Sequence, residues 1–160
     1  MVDILLLQTV SIVIASSGVF LAAIYYILQI GHQTRMRQTD LLVRLFSSLD
    51  TKDWLDSWEK VNEREILDYN DYKAKYGFVE LNVIFVFFEQ VGKLLQKGLI
   101  DMDLIPLPYG QVNTMWEKIK PIVEIGRKRF NEPKVGQGFE YLHNEMKKRE
   151  QQLAKAGPAQ

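Results

Sequence analysis

The chain has 160 residues, with 20 Lys plus Arg balanced by 20 Asp plus Glu, and no cysteine. This length accommodates one membrane segment and one small folded domain with a modest core. The balanced charge gives no indication of a nucleic-acid partner. The absence of cysteine excludes disulfides, thiolate metal sites and a cysteine nucleophile.

The stretch from Leu5 to Ile30 contains no charged residue and no proline. At about 1.5 Å of rise per residue it forms a helix of about 39 Å, longer than the roughly 30 Å hydrocarbon core of a bilayer. Its few polar residues are Gln, Thr and Ser, which a helix carries into lipid by bonding them to its own backbone. We therefore predict a single transmembrane helix within residues 1–31.

Two alternatives fit this stretch less well. A secretory signal has a basic n-region and an apolar core of about 7–15 residues, whereas this chain begins Met-Val-Asp and its apolar run is longer. A buried helix of a soluble protein needs a much larger protein to cover so long an apolar surface.

Basic residues beside a span indicate which end faces the cytoplasm. Only Asp3 precedes the apolar stretch, whereas His32, Arg35 and Arg37 follow it. The pattern predicts a single-pass protein of the cell membrane with its N-terminus outside and its C-terminal domain in the cytoplasm.

After the span we predict a juxtamembrane stalk at residues 32–40, a helical cytoplasmic domain at residues 41–155 and a disordered tail at residues 156–160. In the stalk, Arg35 and Arg37 set the topology, and contact with anionic headgroups of membrane lipid is the alternative role.

Apolar residues at helical spacing indicate the first helices of the domain. A stripe in residues 41–49 predicts one helix. A second begins near Asp50 or Thr51, either of which caps a helix through its short polar side chain. In it Trp54 and Trp58 lie four residues apart and are predicted to pack in the core.

The segment from Asp50 to Glu80 is acidic, with nine Asp or Glu against five Lys or Arg. Such an excess is typical of a solvated surface, and a basic partner is the alternative. Within the segment, the polar stretch Ile66 to Gly77 predicts a connection with a short helical turn.

The segment from Phe78 to Leu99 predicts the central helix. Val83 to Phe88 are six consecutive apolar residues, so we expect no face of that turn to contact water. A β-strand is the alternative for this short run, but the apolar spacing continues through Leu95. Gly98 follows as a suitable C-terminal residue.

The segment from Leu99 to Gly110 predicts turns with one short helix capped by Asp101. A long amphipathic helix then starts at Val112, with a kink at Pro121 or two helices meeting at Lys120. A final helix begins at Phe139, and we expect His143 on its surface.

No motif for catalysis, cofactor binding or metal binding is present. The chain has no phosphate-binding glycine loop and no HExxH, and Asp101 with Asp103 provides too few ligands for a metal ion. We therefore expect no catalytic residue, no cofactor and no metal, and a protein that is not an enzyme.

Four charged residues are low-ranking candidates for ligand or partner contacts. Glu89 on the central helix must be paired, protonated or turned outward. An ion pair with Lys93, four residues later, is the first expectation, and Arg127 or Arg129 are the alternative partners. If Glu89 instead faces a cavity, it is the leading functional candidate. Arg127, Lys128 and Arg129 fit the negative C-terminal end of their helix. A phosphate or lipid-headgroup site is the alternative for this cluster.

Three small residues, Ala15, Gly18 and Ala22, follow one side of the predicted span. Small residues at such spacing allow another helix to approach closely. This face is the candidate for self-association or for packing within a larger membrane complex.

Three segments resemble a known family: FFEQVGKLLQKGLID (Phe87 to Asp101), WEKIKPIVEIGRKRF (Trp116 to Phe130) and FEYLHNEMKKRE (Phe139 to Glu150). The family is an uncharacterised prokaryotic one of single-span membrane proteins with a helical cytoplasmic domain, catalogued as a domain of unknown function. The resemblance implies the same architecture and adds no catalytic or binding residue.

Together these observations predict an all-α protein, with one N-terminal transmembrane helix and a bundle of about five helices around a central apolar helix. The first functional hypothesis is a non-enzymatic module that binds a protein partner or another copy of itself at the cytoplasmic membrane face. The alternatives are an accessory subunit of a larger membrane complex, and a membrane-bound sensor or enzyme for a small ligand or lipid headgroup.

Overall fold

The computed structural model of this chain describes residues 3–66 and 68–156. The regular elements of these residues are all helices, with no strand among them, which confirms the all-α prediction. The α-helices are α1 (Ile4–Phe46), α2 (Lys52–Glu63), α3 (Tyr69–Tyr76), α4 (Val79–Gln96), α5 (Tyr109–Phe130) and α6 (Gln137–Ala156). Short 3₁₀ turns occupy Ser47–Asp50 and Met102–Leu104.

The contacts divide the chain into two compact units, Met1–Gln38 and Thr39–Gln160. In the first unit the apolar side chains of α1 are exposed, and its hydroxyls bond to the helix itself. Thr9 Oγ1 donates to the Leu5 carbonyl at 2.8 Å, and Ser17 Oγ donates to the Val13 carbonyl at 2.7 Å. Among the described residues one helix, which starts at Ile4, is long and apolar enough to cross a membrane.

Helix α1 continues without interruption to Phe46. The predicted span, the stalk and residues 41–46 of the helix expected at 41–49 therefore belong to one helix, and residues 47–49 lie in the 3₁₀ turn. The domain limits at residues 31 and 40 stay predictions. The predicted disordered tail lies, apart from Ala156, outside the described residues.

Helix α2 begins as the sequence predicted. The Trp54 N–H donates to Thr51 Oγ1 at 3.3 Å, which caps the helix. The Trp54 and Trp58 rings stack at 5.1 Å between centroids, and Val61 on the same face is fully buried. At the other end the Lys118 ammonium donates to the Asn62 carbonyl, so a cation sits at the negative end of the helix.

The segment expected to be a connection with a short turn contains the eight-residue helix α3. Asp68 caps it, because its carboxylate accepts from the backbone N–H groups of Asn70 and Asp71 at 2.8 and 3.2 Å. Tyr69 and Tyr72 are buried. These two rings form a buried face of α3, which the polar composition of the segment did not indicate.

Helix α4 lies at the centre of the second unit, where it packs against α2 on one side and α6 on the other. It ends as predicted at Gly98, whose φ of 65° suits glycine. The Gly98 N–H donates to the Leu95 carbonyl and the Leu99 N–H donates to the Leu94 carbonyl, both at 2.9 Å. This is the Schellman arrangement, which satisfies the last carbonyls of a helix.

One prediction about α4 is wrong. Val83 and Val86 are 36% and 46% exposed, although the six-residue apolar run was expected to leave no face in contact with water. The reason is that α2 and α6 cover two sides of α4 and leave part of a third open.

The connections around α5 also differ from expectation. Asp101 makes no side-chain cap, and the short helix after it is a 3₁₀ turn. Helix α5 starts at Tyr109 and holds Pro121 inside one helix, so two helices do not meet at Lys120. Helix α6 starts at Gln137, two residues before Phe139.

Candidate interaction surface

Glu89, the leading charged candidate, is buried and joins α4 to α6. Its Oε2 accepts from the Phe139 backbone N–H at 2.9 Å, and its Oε1 lies 2.9 Å from Lys93 Nζ. The predicted pair with Lys93 is confirmed. Because the first N–H groups of a helix have no partner within it, the Glu89 carboxylate acts as a cap donated by a neighbouring helix.

Two glycines make this capping possible by letting the helices approach closely. A Cβ on Gly92 would lie 1.8 Å from the Gly138 carbonyl oxygen, and a Cβ on Gly138 would lie 2.4 Å from the Glu89 carbonyl oxygen. Gly136, two residues before Gly138, has a φ of 72°. The glycines in the segment 136–138 therefore fix the start of α6 against α4.

Arg127 holds the connection between α5 and α6. Its Nε donates to the Val135 carbonyl at 2.7 Å and its Nη2 donates to Glu140 Oε2 at 2.7 Å. The connection leaves α5 through Asn131, whose φ of 49° is left-handed. The sequence grouped Arg127 with its neighbours, but the structure gives it a separate structural role.

The other members of the basic cluster remain at the surface. Arg129 and Lys128 are exposed. Arg129 Nη1 donates to Asn70 Oδ1 at 3.3 Å, and its guanidinium lies 5.2 Å from the centre of the Tyr69 ring. Phe130 beside them is 64% exposed. We call Lys128, Arg129 and Phe130 the α5 tip.

An apolar pocket of about 150 Å³ lies between α3, α4 and α5, partly lined by Phe130. Its other lining residues are nearly all apolar: Tyr69, Phe78, Leu81, Asn82, Phe85, Ile119, Ile122, Val123, Gly126 and Val135. Asn82 provides the one side-chain amide. A cavity with so little polar lining offers no specific hydrogen bonding to a polar ligand.

The prediction of a surface position for His143 is wrong, since only 4% of this residue is exposed. Its ring stacks against Tyr109 and Trp116, with centroids 6.2 and 6.1 Å away and interplanar angles of 27° and 26°. Its Nδ1 has no hydrogen-bond partner in the described part of the chain. Burial, aided by Lys147 and Lys120 and opposed by Glu117, lowers the pKa of His143.

The sequence did contain a signal for this burial. His143 follows Phe139 by four residues and precedes Met146 by three, and both are buried. Residues at this spacing share a helix face. The imidazole therefore lies on the buried face of α6 and belongs to the core.

The exposed valines of α4 form one wall of a groove of about 180 Å³. Helix α2 and the turn before it form the opposite wall. We call it the α2–α4 groove, and it is lined by Ser48, Thr51, Asp53, Trp54, Val83, Val86, Phe87 and Gln90. Its floor is aromatic and aliphatic, and its rim carries one carboxylate, two hydroxyls and one amide.

Acidic side chains extend from this groove along the outer face of α2. Asp53, Asp56, Glu59 and Glu63 are exposed, and none of them pairs with a basic side chain in residues 3–66 or 68–156. By contrast, Glu80 is held by Lys60 and Arg64, each at 3.3 Å. The α2 carboxylates therefore remain available to a cation from outside the chain.

The remaining candidates are on the first unit or absent. Ala15, Gly18 and Ala22 are exposed on α1, and a Cβ at Gly18 would meet no atom within 4 Å. Their packing role stays a prediction. No group of three or more metal-binding side chains occurs in the described residues.

No curated protein and no solved structure matches the chain. A family of uncharacterised proteins does match, and it covers most of the segments that carried the resemblance seen in the sequence. The chain belongs to this family, the domain of unknown function DUF4760, whose model matches residues 12–146.

Proposed function

We propose that this protein is a single-span membrane protein whose helical unit binds another protein at the cytoplasmic membrane face and is not an enzyme. The observation that carries the proposal is the α2–α4 groove, where apolar side chains of the central helix remain exposed beside unpaired carboxylates.

The exposed row on α4 is longer than the groove itself. Val79, Val83 and Val86 follow one side of the helix and are 75%, 36% and 46% exposed. Covering apolar surface stabilises a complex by about 25 cal/mol per Å². A helix that packs on two sides and presents valines on a third is therefore a natural contact surface for a partner.

The charged candidates support a binding role over a catalytic one. Both Glu89 oxygens have partners inside the protein, and Arg127 is used by Val135 and Glu140. A sensor or enzyme acting through Glu89 requires a cavity at its carboxylate, whereas that carboxylate caps α6. We therefore place the function on a surface that the fold itself does not use.

The first unit supplies the membrane attachment in this proposal. Its exposed apolar helix provides the span, and His32, Arg35 and Arg37 after it favour a cytoplasmic position for the second unit.

A photo-reactive amino acid at Val86, introduced into the full chain in its native membrane, tests the binding role. We expect a cross-link to a protein after illumination, identified by mass spectrometry. The matched control carries the same group at Lys147, an exposed residue on α6 that lies outside the groove. Absence of any protein cross-link at Val86, or equal labelling at both positions, would contradict the proposal.

A native gel of the same sample separates the two forms of the proposal. A product of small size favours a dedicated partner or another copy. Migration with a large assembly favours the accessory subunit of a membrane complex.

A further inference from the structure

We infer that the α2–α4 groove binds the α5 tip of a second copy of this chain. This inference rests on the proposed binding function and names its partner. It follows from two separate surfaces of the second unit, the groove and the α5 tip. They are complementary in size and polarity and opposite in charge.

The size of the groove indicates what fits into it. An apolar cavity of roughly 150 Å³ holds a benzene ring, and the groove measures about 180 Å³. It therefore accepts one aromatic side chain. Its lining includes the rings of Trp54 and Phe87, whose centroids are 5.9 Å apart in an edge-to-face arrangement, and a third ring extends such a cluster favourably.

The second unit itself offers such a ring. Phe130 is the exposed phenylalanine among the described residues after Thr39. It lies at the end of α5, where the helix stops at the left-handed Asn131. Its ring partly lines the pocket between α3, α4 and α5, but 64% of the residue is exposed.

The charges on the two surfaces are opposite. Lys128 and Arg129 directly precede Phe130, while Asp53 lines the groove and Asp56 follows it on the exposed face of α2. With the ring in the groove, cations next to the ring meet carboxylates next to the groove. Exposed ion pairs contribute little each, but they select the partner and the register.

The membrane makes such a small contact effective. One aromatic anchor and a few rim charges give weak association in solution. Anchoring both copies in one bilayer raises the effective concentration of each tip near a groove. Because the groove and the tip are different patches, two copies that exchange tips form a twofold dimer, and a head-to-tail series of contacts closes as a ring.

The test uses the full chain in lipid vesicles, with p-benzoylphenylalanine replacing Phe130. We expect a cross-linked dimer whose joined peptides contain Trp54 or Val83–Phe87 of the other copy. The matched control has the same group at Tyr76, which is 40% exposed and belongs to α3, and should give little dimer.

Charge reversal provides a second readout, which leaves Phe130 unchanged and uses the photo-reactive group at Val86. Asp53→Lys and Lys128→Glu should each reduce the dimer cross-linked through Val86 by about threefold or more, and mixing the two variants should restore it. Glu63→Lys, at the far end of α2 and outside the groove, should leave the yield unchanged. Unaltered melting temperatures verify that the variants fold.

The outcomes separate this inference from the function on which it rests. Cross-linking of Val86 to a different protein, with no dimer through Phe130, overturns the inference and leaves the binding function standing. Dimers joined elsewhere, or failure of the mixed charge variants to recover, also overturn it. Loss of every protein cross-link at Val86 overturns both.

Discussion

Glycine is required where α6 approaches α4, and this gives the sharpest test at the level of single residues. Gly92→Ala places a Cβ 1.8 Å from the Gly138 carbonyl oxygen, so the two helices must separate and the Glu89 cap must lengthen. We expect a loss of about 3 kcal/mol or more in the free energy of unfolding. Tryptophan fluorescence during denaturation of the full chain in detergent measures it.

Gly126→Ala is the matched control. Gly126 is also buried within a helix, but a Cβ there meets no atom within 4 Å. Since alanine favours a helix over glycine by about 1 kcal/mol, this variant should be neutral or more stable. Equal losses in the two variants would show that α6 does not pack against α4 as described.

His143 makes stability depend on pH. Its pKa is lowered in the folded protein, chiefly by burial, and returns to about 6.5 on unfolding. The unfolded chain therefore binds more protons below this value. The stabilisation is complete above about pH 6.5 and decreases as the pH falls from there towards the folded pKa.

Thermal unfolding between pH 5 and pH 8 checks this prediction. We expect the melting temperature to fall below pH 6.5, and His143→Phe to flatten that part of the curve because the new ring keeps the stack with Tyr109 and Trp116. His32→Phe, which changes the other histidine of the chain, should leave the curve unaltered. A slope that survives in His143→Phe would rule out this histidine as its source.

Among the helices, the contact to test is the one between α4 and α6 through the Glu89 carboxylate. Glu89→Gln keeps the side-chain shape but removes the charge that faces the Phe139 N–H and Lys93. Hydrogen bonds to charged groups contribute about 1.5–3 kcal/mol, so we expect a loss towards the lower end of that range. Hydrogen exchange at the first turn of α6 should rise more than exchange in α2.

Asp71→Asn is the control for this variant. It removes a surface carboxylate that pairs with Lys75 at 2.9 Å, and exposed pairs of this kind contribute little. Exchange in α6 should not respond to it. If Glu89→Gln leaves exchange in α6 unchanged, the carboxylate is not a cap.

The sequence predicted the helices where local rules determine them. The Thr51 cap, the glycine end of α4 and the Glu89–Lys93 pair all depend on residues a few positions apart. Where helix α3 forms, only a short helical turn was predicted, because the helix depends on Tyr69 and Tyr72 packing in the core, which the polar local sequence does not show. Tertiary packing overrides local propensity here.

The candidate site was less predictable, because it depends on contacts between distant segments. The sequence identified Glu89 but not its partner Phe139, fifty residues later. It treated the run Val83 to Phe88 as buried throughout. Helices α2 and α6 cover some of those side chains and leave others exposed. This depends on how the three helices pack together, and the same packing creates the groove.

At the scale of the whole molecule, an apolar helix precedes a helical unit whose exposed surface includes the α2–α4 groove. The proposed binding at the cytoplasmic membrane face requires the second unit to lie on the cytoplasmic side. The native chain has no cysteine, so single introduced thiols report that side without interference.

The most direct measurement is labelling of Val2→Cys and Gln152→Cys variants with a maleimide that does not cross membranes. Both proteins should remain in the membrane fraction after an alkaline wash. In intact cells the reagent should label the thiol at position 2, and it should label the thiol at position 152, on the exposed face of α6, only after lysis. Labelling of position 152 in intact cells, or release of the protein by the wash, would contradict the account.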